Sequence, residues 1–314
     1  MRVEVSAGPG ADEVARLLRD HDRSGLLTVA VVDRPGLAAF VIGVTGDAAV
    51  AADPGPDAGL DPDAGLDSDA AAGPDAAGPD AVAWADAVVG PERRADRVAE
   101  LWAERVGPLA RWSAGLEHRG PGPAVLHDHD PLLPSAARRL CARLRSALLD
   151  RGLDDGTWTY DHIGSTAVPG LRAKRFVDLQ LGVPALPAEG SATDDVLLAA
   201  GFAPPAGTRP DSPGVHRDNV LEPGLAPDDA YRKRLYVRPD PAIPMILHVR
   251  LLGSPWWAAT VRFRDLLRAD PAVRRAYERT KEQAARAHAD DADYDDYTRS
   301  KTGFFEELVQ RGRW

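Results

Sequence analysis

The residues with the most chemistry in them lie in one stretch. Tyr160-Asp-His-Ile-Gly-Ser-Thr-Ala-Val-Pro-Gly170 is followed closely by Lys174-Arg-Phe-Val-Asp-Leu-Gln-Leu-Gly182. Gly164 lets the backbone approach a ligand with no Cβ in the way. Ser165 and Thr166 add hydroxyls and backbone N–H groups where an anion can sit. Val177, Leu179 and Leu181 then alternate with Asp178 and Gln180, so the two polar side chains share one face of a strand whose other face is core. A carboxylate beside an anion site suits phosphoryl or nucleotidyl transfer, which is mostly positioning and charge neutralisation. The plainer alternatives are that Asp178 only pairs with Lys174 or Arg250, and that Ser165 and Thr166 only close a turn.

The elements that position this stretch are legible in the same way. It reads as strand, tight turn, second strand. Pro244 to Leu252 is a further strand, with Met245, Leu247, Val249 and Leu251 on one face and Ile246, His248 and Arg250 on the other. Lys233 to Val237 is another strand. Ser135 is expected to cap a helix carrying Leu140, Cys141, Leu144 and Leu148, and Gly152 to end it. Residues 203–229, rich in Pro, Gly and Asp, read as a long loop over the site. Ser254-Pro255 and Asp270-Pro271 open two helices, and another begins near Asp295, placing Tyr297 and Lys301 one turn apart. Trp256 and Trp257 are expected in core or domain contacts. His127-Asp-His-Asp130 is read as a polar entry loop, because no third His or Cys completes a zinc set.

A Gly-Ser turn and, about a dozen residues later, an Asp on a strand is the spacing of the nucleotidyltransferase superfamily. The chain further resembles the GrpB (UPF0157) family in His162 through Leu171, Lys174 through Gln180, Leu247-His-Val-Arg250, Arg262 through Pro271, Tyr277 with Lys281, and Tyr297 with Lys301. The resemblance covers roughly residues 124–314. It implies an α/β (α+β) nucleotidyltransferase-like fold, a mixed sheet flanked by helices, with a smaller N-terminal α/β remnant. It also implies that Gly164, Ser165, Thr166, Lys174, Arg250, Lys281 and Lys301 contact a nucleotide or phosphate. Asp178 and His248 are then the catalytic candidates, Asp178 and Gln180 the metal candidates, and His162 a support of the turn. The implied cofactor and ligand are Mg²⁺ and a nucleoside triphosphate, the transfer going to a small acceptor. Asp178, Gln180 and His248 make a poor two-metal set, since such sites need several carboxylates and hard Mg²⁺ prefers oxygen. The competing expectation is a non-catalytic ligand-binding module associated with coenzyme A metabolism.

The rest of the chain bounds these readings. Its 314 residues suffice for one large or two ordinary domains. Residues 1–50 are read as a partial α/β unit, with a helix over Asp12–Arg19 and strands at Leu26–Asp33 and Ala39–Thr45. Residues 51–83 are read as a disordered acidic linker, and 84–120 as a helical connector similar to the end of dephospho-CoA kinase. That kinase needs a Gly-rich loop ending in Gly-Lys-Ser/Thr, which this sequence lacks, so kinase activity is not expected. The net charge of −10 is mostly local: residues 53–80 hold eight Asp and no Lys or Arg, leaving −2 for the remainder. Nothing forms a basic footprint for duplex DNA. No apolar run is long enough to span a membrane and no basic-then-apolar leader opens the chain, so the expectation is a cytoplasmic protein with a small-molecule or nucleotide ligand.

Overall fold

The computed structural model describes residues 1–32, 37–44, 85–117, 122–205, 214–220 and 222–310. The expected acidic linker lies outside them. In the N-terminal unit, β1 (Arg2–Ser6), β2 (Thr28–Val32), β3 (Phe40–Val44) and β4 (Ala87–Val89) form a parallel sheet in the order β2-β1-β3-β4. Helix α1 (Ala11–His21) packs on it through Val14, Ala15 and Leu18. Two strands here were not expected. β1 opens the chain as a short Arg-Val-Glu-Val run, and β4 is only three residues long, below the length at which a period declares itself.

Residues 84–120 are therefore more than a connector. After β4, α2 (Arg94–Leu101), a wide π-type turn (Trp102–Val106) and α3 (Gly107–Ser113) bury Val98, Leu101, Val106 and Leu109 in the same core as β1 and β3. The helix widens where Gly107 meets Pro108. A Cβ on Gly107 would lie 2.7 Å from the Trp102 carbonyl oxygen, and Pro108 lacks the N–H that would continue the ladder.

The larger unit begins with α4 (Leu132–Asp150). A second sheet contains β5 (Thr159–Ile163), β6 (Val177–Val183), β7 (Lys233–Arg238) and β8 (Met245–Leu251) in the order β5-β6-β8-β7. It is mixed: β6 and β8 are parallel, and the two edge pairs antiparallel. The expected α/β class, two sheets flanked by helices, is what the chain forms. Val177, Leu179, Leu181, Leu247 and Val249 face α4 and α5 (Ala192–Ala199) in the main core. Helix α4 starts one turn earlier than expected, after Pro131, and Ser135 sits inside it accepting from Arg138. On the opposite face lie α6 (Pro255–Ala269), α7 (Pro271–Ala287), α8 (Asp295–Arg299) and α9 (Thr302–Gln310). Phe263 meets Tyr277, Phe304 and Phe305 edge to face, Tyr277 meets Phe304 at a tilt, and together they hold α6, α7 and α9. Among the described residues no helix is long and apolar enough to cross a membrane.

A buried ionic seam joins the two units. Arg105 grips the Asp240 carboxylate through both oxygens, at 3.0 and 2.6 Å, and donates to the Asp86 carbonyl at 2.8 Å. Arg143 of α4 reaches the Asp86 carboxylate at 3.0 Å. Arg238, fully buried at the end of β7, donates to Asp240 at 3.2 Å and to the Ala39 carbonyl at 2.8 Å.

Candidate anion-binding cleft

The cleft opens on the polar face of β6 and β8. Gly164, with φ 73° and ψ −170°, occupies backbone space that only glycine enters freely. A Cβ there would lie 2.4 Å from Asp178 Oδ2, so the turn backbone lies directly against the carboxylate. Ser165 faces the cleft, as does Tyr277. Thr166 does not face it. Its hydroxyl is buried, donates to the Phe176 carbonyl at 3.2 Å and meets His162 Nε2 at 3.0 Å. The hydroxyl proton is committed to that carbonyl, so His162 carries its own proton on Nε2. Burial, reinforced by the charges of Arg268 and Arg264, lowers the His162 pKa to about 3 and keeps the ring neutral. Thr166 and His162 thus form the turn's internal brace, and the expectation that Thr166 contacts phosphate is corrected.

The floor is a closed network. Asp218 accepts from Arg250 Nε at 2.7 Å and Nη2 at 3.0 Å, and pairs with Lys233 at 2.8 Å. Arg250 Nη1 donates to Gln180 Oε1 at 2.8 Å. Thr260 donates to the same oxygen at 2.8 Å, and Gln180 Nε2 donates to the Trp257 carbonyl at 3.0 Å. Gln180 is therefore a buried strut for Arg250, and its carboxamide oxygen is filled by two donors. This corrects its expected role as a metal ligand. Arg250, expected on phosphate, reaches the cleft wall but is largely committed to Asp218 and Gln180.

His248 lies above this floor. Lys233 Nζ stands 3.1 Å from its Nδ1 and Arg250 Nη2 3.4 Å from it, and both are donors. Nδ1 must accept, which places the ring proton on Nε2, 3.7 Å from Asp178 Oδ1. Burial, then the charges of Lys233 and Arg250, hold the ring's pKa well below its ordinary value. The side chain offers the cleft an N–H donor; it has no free nitrogen there for a base or a metal.

Lys174 and Lys301 complete the site. The Lys174 ammonium rests on the Tyr294 ring, 3.3 Å from its centroid, with Phe176 and Tyr297 each at 5.4 Å. Lys301 lies 4.3 Å from the Tyr297 centroid. Neither ammonium has a hydrogen-bond acceptor among the described residues. Asp178, 31% exposed at its side chain, likewise accepts no hydrogen bond from them. Burial raises the Asp178 pKa, opposed by the charges of Lys174 and Lys301; burial and Lys301 lower that of Lys174. Lys281 falls outside: buried, it donates to the Arg172 carbonyl behind the cleft, which corrects its expected phosphate contact.

The cleft has a volume of about 380 Å³, within the range of small-ligand sites. Sequence reading missed Asp218, Lys233 and Tyr294 as cleft residues and assigned Trp256 elsewhere; all four line it. Lys233 sits at the start of a legible strand and faces the same side as Leu235 and Val237. Asp218 lies in a loop without any period to mark it.

The residues present do not fit Mg²⁺. Of the four carboxylates that line the cleft, Asp218 is taken by Arg250 and Lys233, Asp293 accepts the backbone N–H of Asp295, and Asp178 lies among ammonium groups; the neighbouring amide oxygen is filled, and the imidazole presents its N–H. No group of three His, Cys, Asp or Glu among the described residues is placed to hold a metal. The HDHD run is also committed elsewhere, with Asp128 and Asp130 pairing Arg172 and Arg175. In the N-terminal unit, Gly10 leads into α1 at the carboxyl end of β1, where parallel-sheet folds bind anions. There the Arg94 guanidinium lies over Gly10 and pairs with Glu13, so the loop is filled by the protein itself.

Comparison with known proteins completes the description. A family model described as GrpB protein matches residues 123–311. The chain is 32% identical over 234 residues to a dephospho-CoA kinase of Mycolicibacterium paratuberculosis, covering 70% of this chain and 53% of that protein. It is 29% identical over 212 residues to a UPF0157 protein of Halalkalibacterium halodurans, covering 68% of this chain and 90% of the relative. The crystal structure of conserved protein GrpB from Enterococcus faecalis aligns with a TM-score of 0.41 at 21% identity, over 60% of this chain and 97% of that one. The chain spans about half the length of the dephospho-CoA kinases it matches.

Proposed function

This chain belongs to the GrpB family, and on that footing we propose that its cleft binds a phosphate-bearing small molecule, a nucleotide or phosphorylated metabolite, without a divalent metal. The observation that carries the reading is the pair Lys174 and Lys301. Both ammonium groups face the cleft without acceptors of their own among the described residues, which is the state of cations awaiting an anionic ligand. The Ser165 hydroxyl and the His248 Nε2–H supply neutral donors beside them. Asp178 sits among these groups as the one carboxylate without a hydrogen bond from the described residues, and its raised pKa suits a proton acceptor for a ligand hydroxyl.

Titration calorimetry with pyrophosphate and with ATP, in EDTA and in Mg²⁺, tests this. Binding persists in EDTA and weakens at least about tenfold in Lys301→Met, the loss of one charge-assisted contact. Asp178→Asn binds anions more tightly, by about 1 kcal/mol, because a like charge leaves the site. Binding that requires Mg²⁺ and vanishes in Asp178→Asn would overturn the metal-free reading. The second reading, nucleotidyl or phosphoryl transfer to a small acceptor, is favoured by one observation: the Gly164 turn lies directly against Asp178. It puts any phosphate on the turn within reach of the group that would deprotonate an attacking hydroxyl. Single-turnover assays with radiolabelled ATP and candidate polyols test it, and absence of transfer leaves a binding module.

A further inference from the structure

The chain holds 34 arginines and only four lysines, Lys174, Lys233, Lys281 and Lys301. Three of the four line one cleft, and the fourth lies close enough behind it for the Lys301 charge to act on it. Elsewhere among the described residues every basic side chain other than histidine is arginine, including those of the ionic seam and all the helix surfaces. Holding a phosphate does not require that exclusion, since arginine binds phosphate with better geometry. What lysine offers and arginine does not is an amine that can lose its proton and act as a nucleophile.

The four differ in what they touch. Lys233 has Asp218 and His248, and Lys281 has a carbonyl oxygen. Lys174 and Lys301 have aromatic faces and Asp178 nearby, and Lys174 also feels the charge of Asp295. The ring beneath Lys174 compensates its ammonium in part. Burial and the second ammonium act the other way and lower its pKa well below the ordinary lysine range, which are the two devices that activate lysine amines.

We propose that Lys174 is an imine-forming amine, and that the cleft takes an anionic aldehyde or ketone whose phosphate or carboxylate sits on Lys301. The choice of anchor rests on the phosphate reading above; the amine does not. The neutral Lys174 Nζ adds its lone pair to the carbonyl carbon, forming the C–N bond, and a proton passes from nitrogen to the carbonyl oxygen. Asp178, its pKa raised by burial, takes up a proton from solvent and passes it to the departing hydroxyl, which leaves as water. The nitrogen lone pair closes the C=N bond and the imine remains protonated. The rings of Tyr294, Phe176 and Tyr297 lie about that nitrogen and limit hydrolysis.

The scarcity of lysine makes the test clean. The full chain is incubated with pyridoxal 5′-phosphate, or with pyridoxal lacking the phosphate, at about pH 7, roughly three units below the ordinary lysine pKa. Borohydride reduction fixes any imine, and peptide mass spectrometry reads the four lysines and the α-amino group separately. The expected result is an adduct on Lys174 formed faster than on any other amine, because Lys233 is held by Asp218, Lys281 by the Arg172 carbonyl, and Lys301 by the ligand's anion. Lys174→Arg loses it while still melting like the parent. Adducts spread over Lys233, Lys281, Lys301 and the terminus without preference overturn the proposal. Equal labelling of Lys174 by both aldehydes leaves the amine standing and removes the phosphate anchor. Pyrophosphate binding without Lys174 labelling does the reverse.

Discussion

The ionic seam between the two units and the cleft between β6, β8 and α8 both gather buried charges, and they treat them in opposite ways. In the seam, Arg105, Arg143 and Arg238 bind Asp86 and Asp240 through planar, often two-pronged contacts. In the cleft, above the paired floor of Asp218, Arg250 and Lys233, Lys174 and Lys301 stand on aromatic rings beside Asp178, which accepts no hydrogen bond from the described residues. A buried charge with its partners in place adds rigidity, whereas one held without them is destabilising. Such a cost persists where a ligand offsets it, so the cleft is the working surface and the seam a joint. The N-terminal unit, with Arg94 filling its own glycine loop, belongs to the joint.

Three experiments test that contrast, beginning with the greatest effect. Asp240→Ala strips Arg105 and Arg238 of their shared carboxylate, and urea denaturation should show a loss of about 3–5 kcal/mol. Anion affinity of the folded fraction should be unchanged; if it falls as well, seam and cleft are one unit. Gly164→Ala forces a side chain into a left-handed position against Asp178, costing about 1–3 kcal/mol and abolishing pyrophosphate binding. Retention of full binding would show that the turn is not part of the anion site.

The third is a pH profile, where the two regions titrate in separate windows. Burial opposes ionisation of Asp86, but Arg143, Arg238 and the Val41 N–H outweigh it and bring its pKa from 3.8 to about 2. Its stabilisation is present above the unfolded value and is lost as the pH falls from 3.8 towards 2. Burial lowers Lys301 from 10.5 to about 8, so the native state binds fewer protons than the unfolded chain across that window. Stability therefore gains from this group as the pH rises from 8 to 10.5, while pyrophosphate affinity falls through the same range. A melting temperature that rises while affinity drops would separate the cleft from the seam in one titration.

Much of this was legible beforehand. The alternation of Val177, Leu179 and Leu181 with Asp178 placed the carboxylate on the open face of a strand, and Met245 to Arg250 placed His248 and Arg250 likewise. Gly164 was marked by its neighbours as a turn that admits close approach. What failed was the assignment of partners. Thr166, Gln180 and Lys281 are polar residues at suitable positions, yet each is consumed by a donor or acceptor from a distant element: Phe176 and His162, Arg250 and Thr260, the Arg172 carbonyl. Asp218 and Lys233 entered the site from a loop and a strand end.

The sequence by itself determined the strands of the cleft, the turn, the family and the presence of one carboxylate among cations, because period and glycine placement are local properties of the chain. Only the tertiary structure decided which of those cations are already satisfied. A hydrogen bond between residues a hundred positions apart depends on how the sheet and helices close over each other, and no spacing in the chain records it.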